Sequence, residues 1–314
     1  MNAVTRKKKD GFFREISKNK YLYLLTLPGI FYFFVFNYLP MVGIYLAFVK
    51  YNPLAGLFGL KSKFVGLENL KFFFTSEDWI VITVNTVYLN ALFIVTGLAV
   101  QIFMAVGLNE IKNKAFKKIS QSFMFLPNFL SWTVVSVFSL ALFSTDTGAI
   151  NQLLGWFGLS PINFYQEAGV WPSLLVMLKL WKGVGFGVVI YLATIAGMDQ
   201  EMFEAARIDG ATRFQSIRYL TLPLLRTTTV MLLIISVGGI FYGDFGMIYA
   251  LIGDNALLRP TTDVIDTFVY RALRLNNDIG MSMSVGLFQS VVGFVLVVTA
   301  NSVARRYAKD TAIF

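Results

Sequence analysis

Six stretches of this chain are long and apolar enough to cross a bilayer, and no other feature restricts its fold as severely. A spanning helix needs roughly 20 mostly apolar residues to cross about 30 Å of hydrocarbon. Segments 21–49, 80–108, 120–143, 170–197, 224–252 and 283–304 meet that requirement. At 314 residues the chain could otherwise form one or two soluble domains, but 56% hydrophobic and 14% charged residues do not describe a soluble surface. The expected fold class is therefore all-α, a polytopic membrane protein with six transmembrane helices. The first segment is interrupted by Asn37 and Pro40, which predicts a bent helix whose outer end leaves the membrane. It does not read as a cleaved signal peptide, because its apolar run is too long and no small-residue cleavage site follows.

Charge distribution orients the set, since Lys and Arg concentrate in cytoplasmic connections. The N-terminal tail carries Arg6, Lys7, Lys8, Lys9, Arg14, Lys18 and Lys20, and the second connection carries Lys112, Lys114, Lys117 and Lys118. Arg207, Arg213 and Arg218 in the fourth connection agree, as do Arg305, Arg306 and Lys309 at the end. The third connection, 144–169, has neither Lys nor Arg and is assigned outside. The first and fifth connections are mixed, with Lys61, Lys63 and Lys71 against Glu68, Glu77 and Asp78, and Arg259, Arg271 and Arg274 against four Asp. Both termini are thus expected in the cytoplasm, as a basic tail 1–20 and a tail 305–314 flanking a membrane domain 21–304. The net charge of +9 is topogenic on this reading, and the partner it implies is the lipid bilayer rather than nucleic acid.

Chemistry within the chain is restricted by what it lacks. There is no cysteine and no histidine, so disulfides, thiolate metal sites and every His-dependent acid–base arrangement are excluded. No Gly-Lys dipeptide occurs, so there is no P-loop. The expectation is a protein that is not an enzyme and carries no cofactor or metal of its own. The run Gly183-Val-Gly185-Phe-Gly187 lies inside the fourth span and predicts close helix packing rather than a nucleotide site.

The polar connection 199–223 carries helix signals on both sides of a turn. Asp199 is a plausible N-cap, Asp209-Gly210 a stop, and Thr212 with Gln215 forms a T-x-x-Q capping box, which predicts two short helices. Glu204-Ala205-Ala206, then Gly210, Leu220 and Leu222-Pro223, resemble at their spacing the EAA loop of ABC importer permeases, with Leu220 where Ile is usual. The resemblance extends through Tyr23-Leu-Leu-Thr-Leu-Pro-Gly29, Phe64-Val-Gly-Leu-Glu-Asn69, Tyr191-Leu-Ala-Thr-Ile-Ala-Gly-Met-Asp199, Asp263-Val-Ile-Asp-Thr-Phe-Val-Tyr-Arg271 and Val285-Gly-Leu-Phe-Gln-Ser290. These look most like the oligosaccharide branch, including permeases for polygalacturonate-type and alginate-type fragments. The resemblance implies a type I ABC importer permease fold in a prokaryotic cytoplasmic membrane. It also implies a coupling role for Glu204, Ala205, Ala206, Asp209, Gly210 and Arg213. The implied partners are a second homologous permease, two cytoplasmic P-loop ATPase subunits that bind ATP and Mg, and an extracytoplasmic substrate-binding protein.

Charges inside spans are costly, so Lys179, Lys182 and Asp244 need an explanation. The lysines are three apart on one helix face. Lys179 and Asp244 both lie about 12 Å from the outer ends of their spans, at about 1.5 Å per residue, and can pair across the fourth and fifth helices. Alternatively the lysines wall a translocation cavity, where a cationic surface would suit uronates or sialylated glycans. Trp181, Tyr191, Ser236, Tyr242 and Gln289 are further substrate-path candidates, offering stacking faces and groups that bond sugar hydroxyls. The competing reading is a self-contained secondary transporter or channel, which would want membrane acids arranged for ion coupling.

Overall fold

The computed structural model describes residues 18–54, 61–275 and 277–307. Of the basic residues used for orientation, Arg6, Lys7, Lys8, Lys9, Arg14 and Lys309 lie outside the described residues. Five helices are long and apolar enough to cross a membrane: Lys20–Phe48, Trp79–Glu110, Ala168–Ala196, Arg213–Gly238 and Ile279–Arg306. A sixth crossing requires counting Lys114–Phe129 and Trp132–Phe143 together, although they meet at 100°. Among the described residues, the exception to helix is a two-stranded ribbon, Val49–Lys50 (β1) antiparallel to Lys63–Phe64 (β2).

At Asn37 and Pro40, where the sequence predicts a bend, the first crossing changes its helical pitch. Helix Lys20–Phe33 (α1) continues as a π-helical turn, Phe34–Tyr38, and then as a 3-10 helix, Leu39–Phe48. Pro40 lacks an N–H and cannot join the α-helical ladder, so the chain changes pitch there and stays helical. Among the described residues little covers the apolar window of this crossing, 6% of which is buried, whereas its 3-10 end packs on the helix Ile279–Tyr307, with Ser284 Oγ donating to Ala47 O at 2.7 Å.

Glu68–Thr75 (α2) leads into the longest helix, Trp79–Glu110 (α3), which packs along Trp171–Ala196 (α7). Between them lie Lys114–Phe125 (α4), Trp132–Phe143 (α5) and Ala149–Trp156 (α6). The expected span 120–143 is thus two helices. Pro127 falls in a short 3-10 turn, Leu126–Phe129, and Leu130 is extended. Ser131 then starts α5 by accepting from Val134 N–H at 3.2 Å, so a local cap re-nucleates the helix in a new direction.

Beyond α7 come Gln200–Ile208 (α8), Arg213–Ser216 (α9), a π-helical turn Ile217–Thr221, and Leu222–Gly238 (α10). The expected span 224–252 is also broken: α10 stops at Gly238, and Phe245–Ile252 (α11) starts after residues 239–244. Arg259–Thr262 (α12) and Ile265–Leu275 (α13) then lead to Ile279–Tyr307 (α14).

Three apolar clusters hold these elements together. One joins Leu89 and Phe93 of α3 to Val135, Trp171, Leu175 and Met247. A second lies nearer the 199–223 connection, with Ala105, Val188, Tyr191 and Leu225. A third joins Phe73 and Ile82 to Ile265, Met281 and Val285. Glycine sets the closest approach, as the sequence predicts for 183–187. A Cβ on Gly185 would lie 2.2 Å from Met124 O, and one on Gly187 would lie 2.1 Å from the Gln101 side chain. Gly183 has nothing within 4 Å. Gly185→Ala is therefore expected to destabilise the fold by roughly 1–3 kcal/mol through α4–α7 overpacking, with Gly183→Ala near neutral. Thermal unfolding in detergent compares the two, and equal midpoints would refute the packing account.

The polar residues of the 263–271 stretch form one buried anchor. Asp263 pairs with both terminal nitrogens of Arg271 and accepts from Thr267 Oγ1 at 2.6 Å. From α3, Asn85 donates to the carbonyls of Pro260 and Asp263 at 3.1 and 3.2 Å, and Thr86 Oγ1 accepts from Ile265 N–H at 2.9 Å. Residues at positions i, i+4 and i+8 thus tie the amphipathic α13 to itself and to the bundle.

Candidate functional site

The 199–221 connection folds as its local signals dictate. Asp199 Oδ1 accepts from Glu201 N–H at 2.9 Å and starts α8. Gly210 has φ +82°, a conformation that disfavours a β-carbon, and reverses the chain. Ala211 N–H donates back to Ala206 O at 2.9 Å, so the turn closes one helix while opening the next. Thr212 and Gln215 complete a reciprocal capping box, with Thr212 N–H to Gln215 Oε1 at 2.7 Å. Glu204, Ala205, Asp209 and Arg213 are exposed on the resulting knob, and Ala206 is half-buried.

Two residues that sequence reasoning passed over are the most conspicuous there: Ile208 is 86% exposed and Phe214 is 71% exposed, on either side of the Gly210 turn. The signal was present, because an apolar residue beside a polar helix stop has no core to enter. A cleft of about 720 Å³ lined in part by Glu110, Lys112, Arg207 and Thr221 separates part of the knob from the end of α3. The knob is thus a capped, two-helix projection with an apolar tip.

At the other candidate region, the broken helices expose backbone groups that lipid cannot satisfy, and side chains from distant elements take them up. Asn90 Nδ2 donates to Ile240 O and Tyr242 O, each at 3.0 Å. Gln289 Nε2 donates to Phe241 O at 2.7 Å and to Asp266 Oδ2 at 3.1 Å. Gly243 N–H also donates to Asp266. Asp266 belongs to α13, outside the spanning helices; burial pushes its carboxyl above the ordinary carboxylate range, opposed by the Gly243 and Gln289 bonds.

Both intramembrane lysines act at these breaks. Lys179 Nζ lies 3.0 Å from Asp244 Oδ2, and Asp244 Oδ1 accepts from Met247 N–H at 3.1 Å as the N-cap of α11. The cross-helix ion pair therefore exists, with the correction that Asp244 sits at a break and not inside a continuous span. Lys182 Nζ donates to Asn128 O at 3.1 Å and so secures the break between α4 and α5. Helix α7 thereby clasps both discontinuities, one lysine to each.

Lys179 and Ser236 share a groove of about 350 Å³ between α3, α7 and α10, with Asn90, Gln101, Phe93 and Phe186 also on its wall. Among the described residues lining it, Lys179 is the one ionisable group. Its ammonium lies 4.6 Å from the Phe93 ring centroid. Amides, a hydroxyl, aromatic faces and a cation are the groups that bind a polyhydroxylated anion. The other candidates do not join this set. Tyr191 is fully buried and donates to Thr229 Oγ1 at 3.1 Å, so it belongs to the core. Gln289 is buried and serves as the brace described above. Trp181 is exposed but is not among the residues lining the groove. Tyr242 is partly exposed, with its hydroxyl 2.8 Å from Ser290 Oγ. Asn90 and Gln101 went unremarked because a single amide in an apolar run has no local signature.

Comparison with known proteins adds to this geometry. Residues 97–309 match the family described as binding-protein-dependent transport system inner membrane component. The chain is 36% identical over 308 residues to Protein LplB of Bacillus subtilis (strain 168), covering 98% of this chain and 96% of that protein. It is 35% identical to the polygalacturonan/rhamnogalacturonan transport system permease protein YteP of the same organism, covering 97% and 94%. Its fold matches a chain of a bacterial alginate ABC transporter, crystallised with an alginate pentasaccharide-bound periplasmic protein, at a TM-score of 0.86 and 31% identity over 96% of this chain and 99% of that one. A long-helix membrane architecture, matched along nearly its whole length, thus makes this chain a member of the binding-protein-dependent transport system inner membrane components, a permease subunit of an ABC importer whose ATP is hydrolysed by a separate subunit.

Proposed function

We propose that this permease imports an acidic oligosaccharide handed to it by an extracytoplasmic binding protein, working beside a second, related permease and two cytoplasmic P-loop ATPase subunits that bind ATP and Mg. The observation that carries the reading is the full-length likeness to YteP and to the alginate transporter chain, whose named cargoes are rich in uronic acids. Lys179 beside the amides of Asn90 and Gln101 in one groove supports it from within the chain.

The 199–223 loop is the coupling element in this reading. Glu204, Ala205, Ala206, Asp209, Gly210 and Arg213 shape the knob, while Ile208 and Phe214 supply the apolar contact that seats in an ATPase groove. Closure of the ATPase subunits on ATP moves the knob, and the helices rock between inward-facing and outward-facing states. The residues lining the groove then meet the oligosaccharide during passage, and no bond in the sugar is made or broken. Both tails are cytoplasmic and the 144–169 connection is outside, a reading supported by the distribution of Lys and Arg.

Reconstituted transporter with its binding protein should import at least one member of a panel of uronate oligosaccharides two to five residues long. Import confined to neutral oligosaccharides would reject the acidic cargo, and no ATP-dependent import of any oligosaccharide would reject the whole reading.

A further inference from the structure

Resting on the acidic-oligosaccharide reading, we infer that Asp244 is a built-in stand-in for the cargo's carboxylate: an arriving uronate takes Lys179 from Asp244, and this exchange both selects acidic sugars and releases α11 from α7. Three features of the structure support the exchange.

The first is access. The Lys179 and Asp244 side chains keep 34% and 28% of their exposure, so the pair is neither sealed nor fully solvated. Lys179 lines the groove beside Asn90, Gln101 and Ser236, whereas Asp244 is not among the lining residues. A ligand in the groove reaches the ammonium without first displacing the aspartate.

The second is electrostatic. While Asp244 is engaged, the groove's one cation is neutralised. Replacing one carboxylate by another at the same ammonium conserves the number of ion pairs, and the cost of leaving Asp244 without its cation is limited by its partial exposure of 28%. A neutral sugar offers no such replacement, and its binding would have to leave the pair intact or break it uncompensated.

The third is what the pair holds. Asp244 caps α11 through Met247 N–H and ends the 239–244 break, so the ion pair tethers the break directly to α7. Its neighbour Gly243 donates to Asp266, so the break is held to α13 on one side and to α7 on the other. Once Lys179 turns to the cargo, α11 loses this tether to α7 and keeps only its packing and the braces from Asn90, Gln289 and Asp266. Cargo charge is thereby converted into a change at a discontinuous helix, the type of element that moves in alternating access.

The test uses the complete transporter in proteoliposomes, with its binding protein, the best-imported uronate oligosaccharide from the panel and the same oligosaccharide after carboxyl reduction. Lys179→Gln should lower the acidic-to-reduced transport ratio about tenfold, and Lys179→Arg should keep most of it. Asp244→Asn removes the competitor and should lower the half-saturating concentration of the acidic cargo several-fold, with raised cargo-independent ATP turnover. A wild-type ratio in Lys179→Gln would overturn the inference while leaving the acidic-import reading standing. Where Lys179→Gln fails to reach the membrane, Asp244→Asn decides alone: unchanged half-saturation and unchanged basal turnover would overturn the exchange. A wild-type transporter that imports no uronate would remove the functional reading itself.

Discussion

Gly210→Pro is expected to detach the ATPase subunits from this permease while leaving the membrane bundle folded. Proline fixes φ near −65°, whereas Gly210 has φ +82°, and the substitution also deletes the N–H that donates to Arg207 O at 3.2 Å. The turn cannot then hold Ile208 and Phe214 on opposite sides of one tip. Loss of such anchors costs about 2 kcal/mol or more at an interface, which corresponds to at least a roughly thirtyfold loss of association. Recovery of ATPase with the tagged permease should therefore fall to background, with thermal unfolding of the bundle little changed. Gly210→Asn supplies the control, because asparagine enters the left-handed region more readily than other side chains and should retain most of the association. Full recovery of ATPase with Gly210→Pro would exclude the knob as the coupling element.

Arg271→Met should strongly destabilise the connection between α10 and α14. It leaves the Asp263 carboxylate, 7% exposed, without its cation, and Arg271 is itself only 17% exposed. Removing one partner of a buried pair costs about 3–5 kcal/mol, because the remaining charge stays desolvated. The same carboxylate anchors Thr267, and its carbonyl receives Asn85, so the loss spreads from α13 to α3. Asp263→Asn combined with Arg271→Met removes the stranded charge and should recover part of the stability. Thermal unfolding of the single and double variants in detergent measures the difference. A double variant no more stable than Arg271→Met would show that packing of the arginine, and not pairing, matters there.

Elements whose determinants are local were legible in the sequence. Expected spans 80–108 and 170–197 correspond to Trp79–Glu110 and Trp171–Ala196, because apolar runs bounded by polar residues define their own ends. The Asp199 cap, the Gly210 turn and the Thr212–Gln215 box are likewise short-range. Close packing at Gly185 and Gly187, though not at Gly183, was readable from spacing alone, and the Lys179–Asp244 pair was one of two readings that their equal depth in the expected spans allowed.

The sequence by itself determined that this chain is a polytopic helical membrane protein with an exposed helix–turn–helix knob, because hydropathy, capping and glycine stereochemistry act over a few residues. Only the tertiary structure decided where the spans break. Hydropathy sums over a window and cannot register residues 239–244 as a discontinuity, since the strongly apolar runs on either side mask Gly239, Gly243 and Asp244. Their backbone groups are satisfied by Asn90, 150 residues earlier in the chain from Ile240, and by Gln289, 48 residues later than Phe241. The same long-range packing placed Tyr191 in the core, made Gln289 a brace, and brought Lys179, Asn90, Gln101 and Ser236 to one groove. In a membrane interior an unpaired backbone group is too costly to leave, so a break can exist only where the fold delivers a partner, and that delivery is a property of three dimensions.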